Sequence, residues 1–299
     1  MTPASPTLRT AMAEVAFEVD RGFDLLLSLP HDARSRLYEA MRYAAIGGGK
    51  RIRPLMVIAA CRLFHVARDR ALRVALAVEA VHVYSLIHDD LPAMDDDDMR
   101  RGKPTVHRAF GEATAILAGD SLHALAFELL ADEQTHEDPF VRAELIAELA
   151  RAAGPGGMAG GQMMDLMAAE TPLDIAAVTR LQQLKTGALF GWCLEAGAIV
   201  GRIPPESRTG LRGYARDVGL AFQIADDLLD LEGEEAKAGK RLGKDDEAGK
   251  ETFVSLLGPE RARQQAQMLV EQAIAHLHGF GPEARLLEEI ARFAVDRDH

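Results

Sequence analysis

Apolar positions recur along this chain at helical rather than alternating spacing. Residues 7–28 set Val15, Val19 and Leu26 among Glu and Asp, the three-to-four-residue repeat of an amphipathic helix. Residues 32–46 continue likewise until Gly47-Gly48-Gly49, a run expected to end the helix in a left-handed or open turn. Pro54 stands where a new helix tolerates it, and 54–65 and 71–90 read as long buried helices. Pro92 should stop or kink the second. Further helices are expected at 111–131, 138–153, 161–170, 173–202, 205–231 and 258–295, with short breaks at Gly154-Pro155-Gly156-Gly157, Pro172, Pro204-Pro205 and Gly258-Pro259. Lys185-Thr186-Gly187 is expected to interrupt one of these runs. No sustained alternation marks a strand. No linker or shift of composition divides the chain, so one all-α domain over 1–299 is expected.

Composition supports the helical reading: 48 % of residues are hydrophobic but only 5 % aromatic, and alanine, abundant here, is the best helix former. The net charge of −12 argues against a general nucleic-acid binder, although local basic clusters can still hold anions. Cys61 and Cys193 match no metal or redox spacing. They read as small buried apolar residues in a reducing, cytoplasmic setting. The first residues carry no basic start before an apolar stretch, so no signal peptide is expected. The most apolar stretch is broken by Arg73, Glu79 and His82, so no membrane span is expected.

Two aspartate clusters carry the candidate chemistry. Residues 89–98 include Asp89, Asp90, Asp95, Asp96, Asp97 and Asp98 at the end of an apolar helix, where the dipole disfavours anions and the carboxylates repel one another. A hard cation resolves that conflict; a solvated acidic loop is the bland alternative. An EF-hand does not fit, for want of the glycine and terminal Glu. In 220–231, Asp226, Asp227 and Asp230 fall near one face of a helix among Phe222, Ile224, Leu228 and Leu229. Buried carboxylates need partners, and a pair of such clusters suggests two walls holding several divalent ions. An ion pair with a distant Lys or Arg is the alternative for the second.

Basic stretches accompany them. Lys50, Arg51 and Arg53 follow the glycine run at a helix start, a favourable place for an anion. Arg100-Arg101-Gly102-Lys103 follows the first cluster, either to neutralise it or to grip phosphate. Lys185 and, after the second cluster, Lys240, Arg241, Lys244 and Lys250 add further cations. Metals plus many phosphate donors point to a diphosphate substrate. The glycines of 154–161 do not follow the dinucleotide-binding spacing; close helix approach explains them better.

The chain resembles the trans-isoprenyl diphosphate synthases, and most of all the bacterial farnesyl type. The motifs are Gly48–Pro54, Asp89-Asp90-Leu91-Pro92-Ala93-Met94-Asp95 with its two-residue insertion, Arg100–Thr105, Gly161–Asp165, Lys185-Thr186-Gly187 and Asp226-Asp227-Leu228-Leu229-Asp230. They run in the family's order. The resemblance implies an all-α fold around a deep cavity, usually a homodimer. It implies three Mg²⁺ ions, with Mn²⁺ as a substitute, held mainly by Asp89, Asp95 and Asp226 and supported by Asp90, Asp227 and Asp230. Arg100, Lys185 and Lys240 would hold an allylic diphosphate, and Lys250 would add to the substrate site. Lys50, Arg53, His82 and Arg101 would hold isopentenyl diphosphate, and Thr186 and Gln223 would face the reacting carbons. Phe253-Val254 stands where relatives often have Tyr-Pro, and Met99 where Leu is common; neither residue is expected to touch a ligand.

The activity implied is Mg-dependent condensation of isopentenyl diphosphate with dimethylallyl and geranyl diphosphate to give farnesyl diphosphate. Tyr84 and Ser85 lie five and four residues before Asp89, roughly 7.5 and 6 Å down a helix axis. There a large ring can form the floor of the cavity. A geranyl or geranylgeranyl diphosphate synthase shares this chemistry and differs only in stopping point. A terpene cyclase would not need Lys50, Arg53 and Arg101. A silent regulatory subunit of a prenyl synthase would be expected to lack an aspartate motif.

Overall fold

Ser5 opens the first helix: its Oγ accepts from Leu8 N at 3.0 Å, and Pro6 fills the position whose N–H has no helical partner. The structure, a computed structural model, describes residues 5–168, 173–232 and 251–295. Along them run α1 (Pro6–Leu26), α2 (Ser35–Ala45), α3 (Ile52–Leu63) and α4 (Arg68–Asp89), then a hairpin of β1 (Met99–Arg100) and β2 (Lys103–Pro104). There follow α5 (Val106–Phe110), α6 (Glu112–Ala131), α7 (Pro139–Ala153), α8 (Met158–Ala168) and α9 (Ile175–Gln182). A wide π-turn, Gln183–Gly187, leads straight into α10 (Ala188–Val200). A 3₁₀ turn at Pro205–Arg208 precedes α11 (Thr209–Glu232). The last elements are α12 (Phe253–Leu257), α13 (Pro259–His276), a 3₁₀ stretch at His278–Ala284 and α14 (Arg285–Val295).

The all-α expectation holds. One apolar core runs from Leu8 to Ala294. At its centre α4 packs on α3 and α6, α10 packs on α3 and α7, and α11 packs on α13. Small residues set the closest approaches: a Cβ on Gly197 would lie 2.6 Å from the Ala60 carbonyl carbon, so α10 and α3 touch backbone to backbone. By length and composition α4 and α6 could each cross a membrane; here they pack against each other.

Three expectations need correction. The helix at 258–295 is broken, because Gly281 takes φ +66° and Pro282 follows it. Lys185-Thr186-Gly187 does not interrupt its helix but widens it by one residue. The hairpin and the five-residue helices α5 and α12 are too short to print a period on the sequence.

Candidate active site

At the end of α4 the chain folds back on itself. Asp95 N donates to Asp89 O at 2.8 Å, and Asp96, in a left-handed conformation, donates to Leu91 O. This fold-back sets Asp95 beside Asp89. Burial pushes the Asp89 carboxyl up to about 6; Lys185 and Arg100 pull it down, while Asp95 and Asp90 add to the push. Asp90 is buried and taken by the Arg100 fork, with Nε to Oδ1 at 2.8 Å, Nε to Oδ2 at 3.0 Å and Nη2 to Oδ1 at 2.7 Å.

The π-turn carries the next two groups. A Cβ on Gly161 would lie 2.2 Å from Lys185 N, so only glycine lets α8 seat directly on that turn. One turn further along α8, Asp165 Oδ2 accepts from Lys185 Nζ at 2.8 Å. Burial works against the Lys185 ammonium, but Asp165, and beyond it Asp89 and Asp95, keep its pKa raised. Thr186 Oγ1 donates to Gln223 Oε1 at 3.4 Å, and Gln223 Nε2 donates to Asp227 Oδ1 at 3.0 Å. Asp227 Oδ2 also accepts from Phe253 N at 3.1 Å. Thus, contrary to expectation, Phe253 does touch an expected metal ligand, through its main-chain N–H, a contact that does not depend on its side chain.

The cations gather on the other side. Arg101, itself left-handed at φ 52°, lies over the glycine run, where a Cβ on Gly49 would meet its Nη2 at 2.6 Å. Arg53 lies 5.2 Å from the Phe190 ring centroid and 3.3 Å from His82 Nε2, and its buried Nε has no hydrogen-bond partner among the described residues. Burial lowers the pKa of Arg53 and of Arg101, and neighbouring guanidiniums lower Arg101 further. Burial, then Arg53, Arg101, Arg100 and Arg51, hold His82 well below its ordinary value. Crowded cations with an unmet donor make a site for an anion. Arg51 is not part of it. Arg51 turns inward, with Nη1 to Glu79 Oε1 at 2.6 Å and Nη2 to Asp20 Oδ1 at 2.6 Å and Ala45 O at 2.5 Å. Lys50 is exposed, its Nζ 5.8 Å from the Phe293 ring centroid.

Between these walls lies a cavity of about 180 Å³ lined by Arg53, His82, Tyr84, Ser85, Asp89, Gln162, Lys185 and Thr186. Tyr84 rests on His123, with ring centroids 4.6 Å apart, and His123 rests on Phe127 at 5.2 Å. Ser85, also in the cavity lining, donates its Oγ hydrogen to His82 O at 2.9 Å.

The family profile described as Polyprenyl synthetase matches residues 34–285. The chain belongs to that family. Among proteins it is similar to, a farnesyl diphosphate synthase of Bacillus subtilis is 42 % identical, covering 90 % of this chain and 91 % of that one. A chloroplastic geranylgeranyl pyrophosphate synthase of Arabidopsis thaliana is 44 % identical over 86 % of this chain and 73 % of its own. The crystal structure of an FPP/GFPP synthase from Zymomonas mobilis superposes with a TM-score of 0.89 at 59 % identity, covering 97 % of this chain and 99 % of that one.

Within this polyprenyl synthetase fold, Arg53, His82, Tyr84, Ser85, Asp89, Lys185 and Thr186 meet at one cavity, and Gln223 joins them through Thr186. Asp226 is near enough to act on the Arg53 charge. Asp230 is half-buried one turn further along α11. Lys240 and Lys250 lie outside the described residues. No three His, Cys, Asp or Glu among the described residues converge on one point. Asp89 and Asp95 stand side by side at the end of α4, a pair of carboxylates of the kind a hard cation can take when phosphate oxygens and water complete its shell. The crowded carboxylate at Asp89 is the observation that asks for a cation. Three residues had no assigned role in the sequence reading: Gln162, Asp165 and His123. The first two sit in the Gly161–Asp165 motif; His123 carries no sequence signal.

Proposed function

We propose that this chain is a farnesyl diphosphate synthase. It would join isopentenyl diphosphate to dimethylallyl and then geranyl diphosphate. The observation carrying the reading is one cavity lined by the Asp89 carboxylate, the Arg53 and Lys185 cations and the Tyr84 ring. Similarity to curated farnesyl diphosphate synthases supports it. Asp89 with a bound cation and Lys185 would suit one diphosphate, and the Arg53–Arg101 side another. Lys185 holds the allylic diphosphate, joined by Arg100 once that fork leaves Asp90, while Arg53, Arg101, Lys50 and neutral His82 hold isopentenyl diphosphate. Bound Mg²⁺, held by Asp89, Asp95 and Asp226 with support from Asp90, Asp227 and Asp230, supplies Lewis-acid stabilisation of the leaving diphosphate. Thr186 and Gln223 face the reacting carbons, and the apolar walls exclude water. Holding both substrates together supplies the orientation that the condensation needs.

The reading includes a single domain, a cytoplasmic location and a homodimer. Support for the homodimer comes from α6, which is apolar nearly all round yet exposes Ile116 and Leu117. A longer product is the second reading, favoured by the similar plant and Zymomonas proteins. Incubating the protein with isopentenyl diphosphate and each of the C5, C10 and C15 allylic primers, then sizing the dephosphorylated products, tests both. Farnesol as the end point supports the first; extension of the C15 primer supports the second; no product from any primer removes both.

A further inference from the structure

We infer that Gln162 is a catalytic residue whose amide oxygen stabilises the allylic cation formed in the cavity; this rests on the prenyltransferase reading. Gln162 is buried, it lines the cavity with Asp89, Lys185 and Thr186, and neither end of its amide has a hydrogen-bond partner among the described residues. A buried amide left unmet is costly, so a fold keeps one rarely and for a reason.

Its position is tightly set. Gly161 seats α8 against the backbone of Lys185. Asp165, three residues on and therefore on the same helical face, holds the Lys185 ammonium. That face then carries Met158 and Gln162 into the cavity wall. Gln162 is thus the neutral polar group on a wall whose next turn grips the diphosphate-binding cation.

The reaction shows what such a group can serve. The allylic C–O bond breaks and its electron pair leaves with the diphosphate. The isopentenyl double bond attacks the cation, and a proton is lost to the released diphosphate, which balances atoms and charge. The diphosphates have Lys185, Arg53 and Arg101. The hydrocarbon tail has nothing to offer an amide. The delocalised cation has no donor hydrogen, yet it is attracted to a carbonyl dipole in a dry cavity. No partner among the described residues fixes which amide atom faces inward, so the oxygen can turn to the charge as it forms.

Two probes separate this role from diphosphate binding. One is a tertiary ammonium analogue of the geranyl cation, bound with inorganic diphosphate and Mg²⁺. The other is geranyl S-thiolodiphosphate with Mg²⁺, which binds but does not readily ionise. Calorimetry on Gln162→Leu should show the ammonium probe weakened about tenfold or more. The thiolodiphosphate should change less than about twofold. kcat should fall with the first, and KM for isopentenyl diphosphate should hold. Gln162→Met, unbranched like the native side chain, repeats the comparison if the Leu variant does not fold. Gln162→Glu, which keeps an oxygen and adds charge, should bind the ammonium probe at least as tightly as the native protein. Equal weakening of both probes, or no weakening of either, overturns the inference. A native protein that binds neither probe and makes no prenyl product overturns the underlying reading instead.

Discussion

Asp89 ends α4 with its carboxyl pushed up to about 6, chiefly by burial, so the metal-free protein carries an unfavourable charge at neutral pH. Asp89→Asn removes the charge and keeps the shape. In chelator at neutral pH its melting temperature should exceed that of the native protein, while turnover with Mg²⁺ falls at least about 10²–10³-fold. A lower melting temperature would show that the carboxylate helps the fold. Arg53 is the counterpart on the cationic side. Arg53→Ala removes one charge-assisted contact, worth about 1.5–3 kcal/mol or roughly ten- to a hundredfold. KM for isopentenyl diphosphate should rise by that factor and KM for the allylic substrate far less; equal changes would reassign Arg53. The motifs made Asp89, Lys185 and Arg53 legible in the sequence. The fate of Arg51 was not, because its partners Glu79 and Asp20 lie 28 and 31 residues away and only the fold brings them together.

At the scale of elements, the long helices were readable because apolar spacing reports which face is buried. What spacing cannot report is how one helix sits on another. The seat of α8 on the π-turn depends on Gly161, and Gly161→Ala would drive a methyl into the Lys185 backbone. Overpacking of this kind costs typically about 1–3 kcal/mol. The variant should melt lower and lose activity through a displaced Lys185; native melting and turnover would mean that α8 can shift without consequence. The cavity wall at Tyr84 is likewise shared by two elements, the ring of Tyr84 on α4 resting on His123 of α6. Tyr84→Ala removes the ring and should carry products to C20 or longer, with the first condensation little changed. Chromatography of dephosphorylated products decides it, and a variant that still stops at C15 would move the length limit elsewhere.

For the molecule as a whole, the core that joins α1 to α14 also encloses both thiols. Cys61 and Cys193 are buried, and burial pushes each thiol up to about 12. At pH 8 almost no thiolate exists in the folded protein, so neither should react with a thiol-specific alkylating reagent until global unfolding. Labelling in increasing urea, read by mass spectrometry, should therefore follow the loss of helical signal; labelling ahead of it would reveal local opening. Light scattering should give a mass twice the 32.5 kDa of one chain. A monomer would leave Ile116 and Leu117 facing water.

The wide turn at Gln183–Gly187 behaves like an insertion that the helix has absorbed. Deleting one residue there would restore ordinary α spacing but swing α9 about 100° around its axis relative to α10. Val178 and Leu181, now inside the core, would be carried towards water, and Lys185 would lose its aim at Asp165. Helical phase on one side of the turn and catalytic geometry on the other are therefore inherited together, and a single-codon deletion in this stretch should be far less tolerated than a substitution.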